Sequence, residues 1–209
     1  MSPQEDLFEH YVRLTALGMR QEAKEVVAKI VASVSDSDEQ ERWTSKHLDQ
    51  LPTNGKGCIQ YDLYRYIVFP SLRRAFDRGE AEASYLLGNY WNNLVSDQRL
   101  FEQAERRGRT DFFRIAFSAD PSSERYRSSY LGAIISNLEY AYHEWPTGIL
   151  IDPDEDWRQE LADLESQLVL ATSLDKNGTY TDFIAKWSRE KDEYAVRLAK
   201  AERTESYGF

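Results

Sequence analysis

Few residues in this chain are of types that do chemistry, and their spacing argues against most reactions. His10, His47 and His143 stand far apart. None falls in an H-x-x-x-H or H-E-x-x-H spacing, which would set two ligands on one helical face, so they read as ordinary, partly exposed histidines. His143 and Glu144 are adjacent, and on a helix adjacent side chains point about 100° apart. The run Asp152-Pro153-Asp154-Glu155-Asp156 places carboxylates at the first, third and fifth positions of a calcium-type loop. Its sixth position is Trp157, where the sharp turn needs glycine, and its twelfth is Asp163 in place of glutamate. Carboxylates gathered at a helix N-terminus explain the run more simply. Asn54-Gly55-Lys56-Gly57 offers backbone amides and a lysine but lacks the GxxxxGK[ST] spacing, and no strand precedes it, so it reads as a turn. Cys58 has only Lys56 nearby as a basic helper, which favours an inert thiol over a nucleophile. No G-x-S-x-G occurs. The expectation is a protein that is not an enzyme, with no catalytic residues, no metal and no cofactor.

Two clusters suit binding instead. Tyr61, Tyr64 and Tyr66 with Arg65 combine aromatic rings and a cation, a mixture enriched at protein interfaces. Core packing with the hydroxyls at the rim is the competing reading of the tyrosines. Arg106, Arg107 and Arg109 crowd a helix end and its turn, where cations also complement the helix dipole.

The totals restrict the partner. A net charge of −10 opposes general attraction to nucleic acid or anionic membrane. The charge is uneven: residues 51–127 carry 12 basic and 10 acidic side chains, whereas residues 128–209 carry 8 and 16. Such asymmetry suits either a basic partner or simply solvated helix faces. A single cysteine excludes an intrachain disulfide and fits a reducing compartment. The N-terminal residues have no basic and apolar signal pattern, and no apolar stretch approaches the length of a membrane span. A cytoplasmic protein is expected. With 41% hydrophobic and 13% aromatic residues, the chain can bury a core, and few glycines and prolines favour helix.

The elements follow from apolar spacing and stop signals. Leu7, Tyr11, Leu14 and Leu17, joined by Phe8 and Val12, form one stripe ended by Gly18; Met19, Ala23, Val26, Val27, Ile30 and Val31 form the next, which predicts a helical hairpin. After the break at 35–38, Trp43, His47 and Leu48 mark a third helix, ended by the loop 52–57. Ile59, Leu63, Ile67 and Leu72 keep helical spacing, with a kink or restart at Pro70. Helices are expected at 80–94, from Asp97 through Arg107 with Gly108 as stop, at 110–117, and from Ser122 or Ser123 to about 145. The apolar tripeptide 149–151 reads as an extended connector. Asp152 or Asp154 then caps a helix with Trp157, Leu161, Leu164 and Leu168, and a last helix spans 180 to about 201 before a frayed tail.

Within 69–116 one pattern occurs twice. Leu72, Ala75, Gly79, Ala83 and Leu86 recur as Phe101, Ala104, Gly108, Phe112 and Ile115, at a constant offset of 29 residues. Ala75, Gly79, Ala83, Leu87, Gly88 and Tyr90, followed by Asp97, Ala104 and Gly108, resemble the tetratricopeptide-repeat superfamily, closer to its subgroup with longer hairpin loops. Leu17-Gly18 followed by Glu22-Ala23 is similar to the hairpin corner of such a unit. The resemblance covers about a third of the chain; the second copy lacks the Leu-Gly-x-Tyr part and nothing after Ala119 repeats. It implies a scaffold that binds peptides or proteins in a groove, and it implies no chemistry.

The expected fold is all-α: antiparallel helical hairpins packed as an irregular tetratricopeptide-like array or a helical bundle. A single domain over 1–209 is expected, with 1–51 as a candidate N-terminal subdomain, a repeat-like centre at 59–119 and C-terminal helices at 122–201. The expected function is a protein–protein interaction module binding a protein or peptide partner. The alternative is a small acidic immunity or antitoxin-type protein that neutralises a basic partner.

Overall fold

In the computed structural model, which describes residues 3–34, 36–51, 59–144 and 157–206, the fold is all-α, with no strand among the described residues. Ser2, Ser35, the loop 52–57, Cys58, residues 145–156 and residues 207–209 lie outside the described residues, as do the side chains of Ala141, Tyr142, His143, Trp157 and Leu198. The chain divides into two compact units, Met1–Tyr126 and Arg127–Phe209. No described helix is long and apolar enough to cross a membrane.

In the first unit, α1 (Pro3–Ala16) and α2 (Arg20–Ser33) form the expected hairpin. Phe8, Tyr11 and Leu14 bury one stripe, and Ala23, Val26, Val27 and Ile30 bury the other, at the spacing of one helical face. α3 (Ser37–His47) starts at Asp36, whose Oδ1 accepts the Glu39 N–H at 2.8 Å. A 3-10 turn, Leu48–Gln50, ends it.

Residues 61–77 form one continuous helical run with an irregular middle: α4 (Tyr61–Leu63), a π-helical turn (Tyr64–Val68) and α5 (Phe69–Asp77). The restart anticipated at Pro70 takes this form. Pro70 has no N–H, so the Tyr66 carbonyl four residues earlier loses its helical partner. The Gln40 side-chain amide donates to that carbonyl at 3.1 Å, and the Phe69 N–H bonds back to the Tyr64 carbonyl.

α5 reverses into α6 (Ala81–Asn89) through Gly79, at φ +81. The Gly79 N–H donates to the Phe76 carbonyl at 2.8 Å and the Glu80 N–H to the Ala75 carbonyl at 3.1 Å, the paired bonds of a left-handed C-cap. The helix anticipated over 80–94 breaks at Tyr90, and α7 (Trp91–Val95) follows. There the buried Asn93 Nδ2 donates to the Ile59 carbonyl at 2.8 Å, tying α7 to the entry of the 61–77 run.

α8 (Gln98–Gln103) begins at Asp97 as expected, with Oδ1 accepting the Arg99 N–H at 2.9 Å. It stops four residues before Arg107. Glu105 (φ 60) and Arg106 (φ 56) make the left-handed turn, and the Arg106 N–H reaches the Phe101 carbonyl at 2.9 Å. Gly108, anticipated as the stop, has φ −72 and is the N-cap of α9 (Arg109–Ala119); its N–H donates to Asp111 Oδ2 at 3.2 Å. The hydrogen bonds that close the helix end form before the glycine is reached, so the 29-residue offset does not extend to the turn itself.

α6 packs against both α5 and α9. A Cβ on Gly88 would lie 2.7 Å from the Phe113 ring, so the close approach of α6 and α9 requires the missing side chain.

α10 (Glu124–Glu144) begins in the first unit, where Ser123 Oγ accepts the Tyr126 N–H at 3.4 Å. In the second unit it buries Tyr130, Leu131, Ile134, Ile135 and Leu138. α11 (Trp157–Leu174) and α12 (Thr181–Ser206) form the closing pair, turning through 175–178. α12 runs past the anticipated end at 201. Arg127 donates to the Leu174 carbonyl, placing a cation at the C-terminal end of α11.

Candidate functional site

The π-helical turn sorts the anticipated tyrosine cluster between surface and core. Tyr61 and Tyr66 remain 37% and 46% exposed. The Tyr61 hydroxyl donates to Asp97 and accepts from Arg65 Nη1 at 3.2 Å. The Arg65 guanidinium carbon lies 5.8 Å from the Tyr61 ring centre and 5.2 Å from that of Tyr66. The Tyr61 hydrogen bond holds the Asp97 carboxyl below the usual range, and the Asp97 contact raises the Tyr61 phenol.

Tyr64 does not belong to this surface. It is fully buried, with ring centres 6.0 Å from Phe69 and 6.1 Å from Tyr90. Its hydroxyl has no hydrogen-bond partner among the described residues, and burial pushes its phenol well above the ordinary value. Tyr64 alone of the three tyrosines lies in the core, so the competing core reading holds for this tyrosine alone.

The arginine cluster is likewise divided. Arg106 is exposed and pairs with Glu102 at 3.2 Å. Arg107 pairs with Glu105, and its guanidinium lies 5.8 Å from the Phe76 ring centre, with a buried Nε unpartnered among the described residues. Arg109 lies 5.4 Å from the Phe113 ring centre. The three therefore serve different neighbours.

Two concave features of the first unit went unrecognised in the sequence. The first is a groove of about 650 Å³ between α3, the 3-10 turn, α5 and α6. Leu48, Leu72, Ala75, Ala83 and Leu86 supply its apolar lining, and Thr44 Oγ1 donates to Ser71 Oγ at 3.1 Å beneath it. Charges of both signs surround it: Glu41, Asp49, Glu80 and Glu82 with Arg42, Lys46 and Arg78. Glu41 accepts from Arg74 at 2.8 Å and from Arg78 at 3.2 Å. The Arg78 hydrogen bond, then that of Arg74, holds the Glu41 carboxyl below its ordinary value. Such a carboxylate is a fixed charge, far from the near-neutral pKa of a general acid or base.

The second feature is a depression of about 500 Å³ lined by Arg65, Tyr66, Phe69, Pro70, Arg73, Arg74, Arg99, Leu100 and Gln103. It contains part of the anticipated tyrosine–arginine cluster. The available signal was spacing: Arg65, Phe69 and Arg73 form one row four residues apart, and Tyr66, Pro70 and Arg74 form the next. Arg99 comes from α8, and no local pattern in the sequence joins it to these rows.

Among the described residues no group of three or more His, Cys, Asp or Glu side chains could hold a metal ion. His10 is exposed, whereas His47 is buried against Phe8 and Trp43 at 4.1 and 4.9 Å between ring centres. The acidic run 152–156, Lys56 and Cys58 lie outside the described residues. No protein-family model, no curated protein and no solved structure matches the chain, which leaves this geometry as the ground for a functional reading.

Proposed function

We propose that the protein is a non-enzymatic interaction module that holds a segment of another protein in the groove between α3, α5 and α6. The observation that carries this reading is the groove's composition: a strip of Leu and Ala side chains within a rim of both charge signs. Apolar contact supplies affinity and the charged rim sets register, the division of labour found at protein interfaces. The repeated hairpin pattern and the close α6–α9 packing through Gly88 agree with a tetratricopeptide-like array whose helices present such a groove. A cytosolic setting suits a chain with one cysteine.

The test is selection of a displayed random-peptide library on the whole protein, followed by binding of the enriched peptides to variants. Ala75→Glu and Leu48→Glu change partly exposed groove positions and are expected to abolish binding, while Val196→Glu on α12 leaves it intact. Failure to enrich any peptide, or enrichment indifferent to both groove variants, counts against the reading.

A second reading, an acidic immunity or antitoxin-type neutraliser of a basic partner, draws on the 16 acidic and 8 basic residues of 128–209. It requires affinity to collapse as salt rises, whereas apolar groove binding weakens little.

A further inference from the structure

The depression at Arg65, Arg73, Arg74 and Arg99 has a wall without a carboxylate, in a chain whose net charge is −10. We propose that it is a second docking site, for an acidic peptide segment of a partner protein. This extends the interaction-module reading and rests on it.

The four guanidiniums are held differently. Arg73 is anchored by Asp77 at 2.8 Å and by the Gln103 carbonyl at 2.8 Å, and Arg74 by Glu41 at 2.8 Å and the Ser37 carbonyl at 2.9 Å. These contacts fix the two planes before any ligand arrives, and a preorganised fork loses less on binding. Arg65 is stacked beside Tyr61 and Tyr66, 3.9 Å from Asp97. Arg99 is exposed, with no ion-pair or side-chain hydrogen-bond partner among the described residues. It offers all five donors of its guanidinium. An arginine wall of this kind takes carboxylates in paired hydrogen bonds.

Pro70 adds partly exposed apolar surface to the same lining and Tyr66 an exposed ring, whereas Phe69 and Leu100 are buried. A ligand mixing carboxylates with apolar side chains uses both, which a nucleic-acid backbone does not. The carboxylates that already engage Arg73 and Arg74 moderate the positive charge, matching singly charged side chains better than doubly charged phosphate.

The experiment is fluorescence anisotropy with a labelled peptide of Glu-Glu-Leu repeats, its Gln-Gln-Leu counterpart, and a single-stranded DNA of similar length. The Glu peptide is expected to bind, to weaken several-fold as salt rises from about 50 to about 300 mM, and to exceed both controls. Arg99→Gln and Arg65→Gln should each weaken it by roughly five-fold or more, with melting temperature little changed for Arg99→Gln because that side chain anchors nothing. Ala75→Glu, in the groove, should leave Glu-peptide binding intact. Equal binding of the Gln peptide, tighter binding of the DNA, or indifference to Arg99→Gln overturns the proposal. If the Glu peptide is displaced by Ala75→Glu and not by the arginine variants, this site fails while the groove reading stands. Self-association in sedimentation that Arg99→Gln abolishes would make a second copy the occupant and would likewise overturn it.

Discussion

His47 shows how one buried side chain ties stability to pH. Burial against Phe8 and Trp43, then the charge of Lys46, holds its pKa below the ordinary value; Glu5 opposes this more weakly. The unfolded chain therefore binds a proton near pH 6.5 that the folded chain refuses. This contribution is fully present above about pH 6.5 and is lost as pH falls below it towards the lower folded value. Denaturation midpoints should decline as pH falls below about 6.5, and His47→Gln should flatten that decline. An identical slope in the variant would refute it. Glu105 carries a cost of a different kind, in its backbone. Its left-handed backbone costs roughly 1 kcal/mol for a residue with a Cβ. Its ion pairs with Arg107 and Arg73 are solvent-exposed and offset little. Glu105→Gly is expected to raise unfolding stability by roughly 0.5–1 kcal/mol, and a loss of stability would contradict this.

At the level of elements, the α6–α9 contact is the most closely specified. Phe113 is 1% exposed and packs on Tyr85 with ring centres 5.9 Å apart, so its ring has little room to yield. Gly88→Ala should destabilise the protein by about 1–3 kcal/mol through overpacking. Adding Phe113→Leu should recover part of that loss, a coupling that a double-mutant cycle detects. Strict additivity of the two changes would show that the helices do not meet through this pair.

Much of this level was legible. Gly18 and Gly79 mark real chain reversals, Asp97 is a real cap, and the break at 35–38 contains the Asp36 cap. The middles of the α1, α2 and α10 stripes are buried as their spacing requires, while Val12, Leu17 and Met19, towards the hairpin turn, remain exposed. Other features depended on partners distant in sequence. Gln40 takes the carbonyl released by Pro70 from 26 residues away, so sequence near Pro70 could signal a kink but not its π geometry. The α8 turn falls on Glu105 and Arg106, for which no propensity argues. Tyr64 separates from Tyr66 because the run is helical; an alternating strand would have put 64 and 66 on one face.

At the scale of the molecule, the candidate surfaces were legible only in part. Leu72, Ala75, Ala83 and Leu86 stood out as a repeated pattern, yet the groove they line also needs Leu48 and Lys46 from the α3 end, which no spacing links to them. The arginine depression joins two rows of the 61–77 run to Arg99 of α8 by tertiary packing. The 12 basic residues of 51–127 foreshadowed a cationic feature without locating it. The second unit supplies the acidic excess on which the competing neutraliser reading depends.

Hydrogen exchange of the whole protein with and without a library-selected peptide tests groove docking most directly. The account predicts slowed exchange in α3, α5 and α6 around Leu48, Ala75 and Ala83, with 157–206 unchanged. Protection confined to 157–206, with the groove helices exchanging as in the free protein, would contradict it.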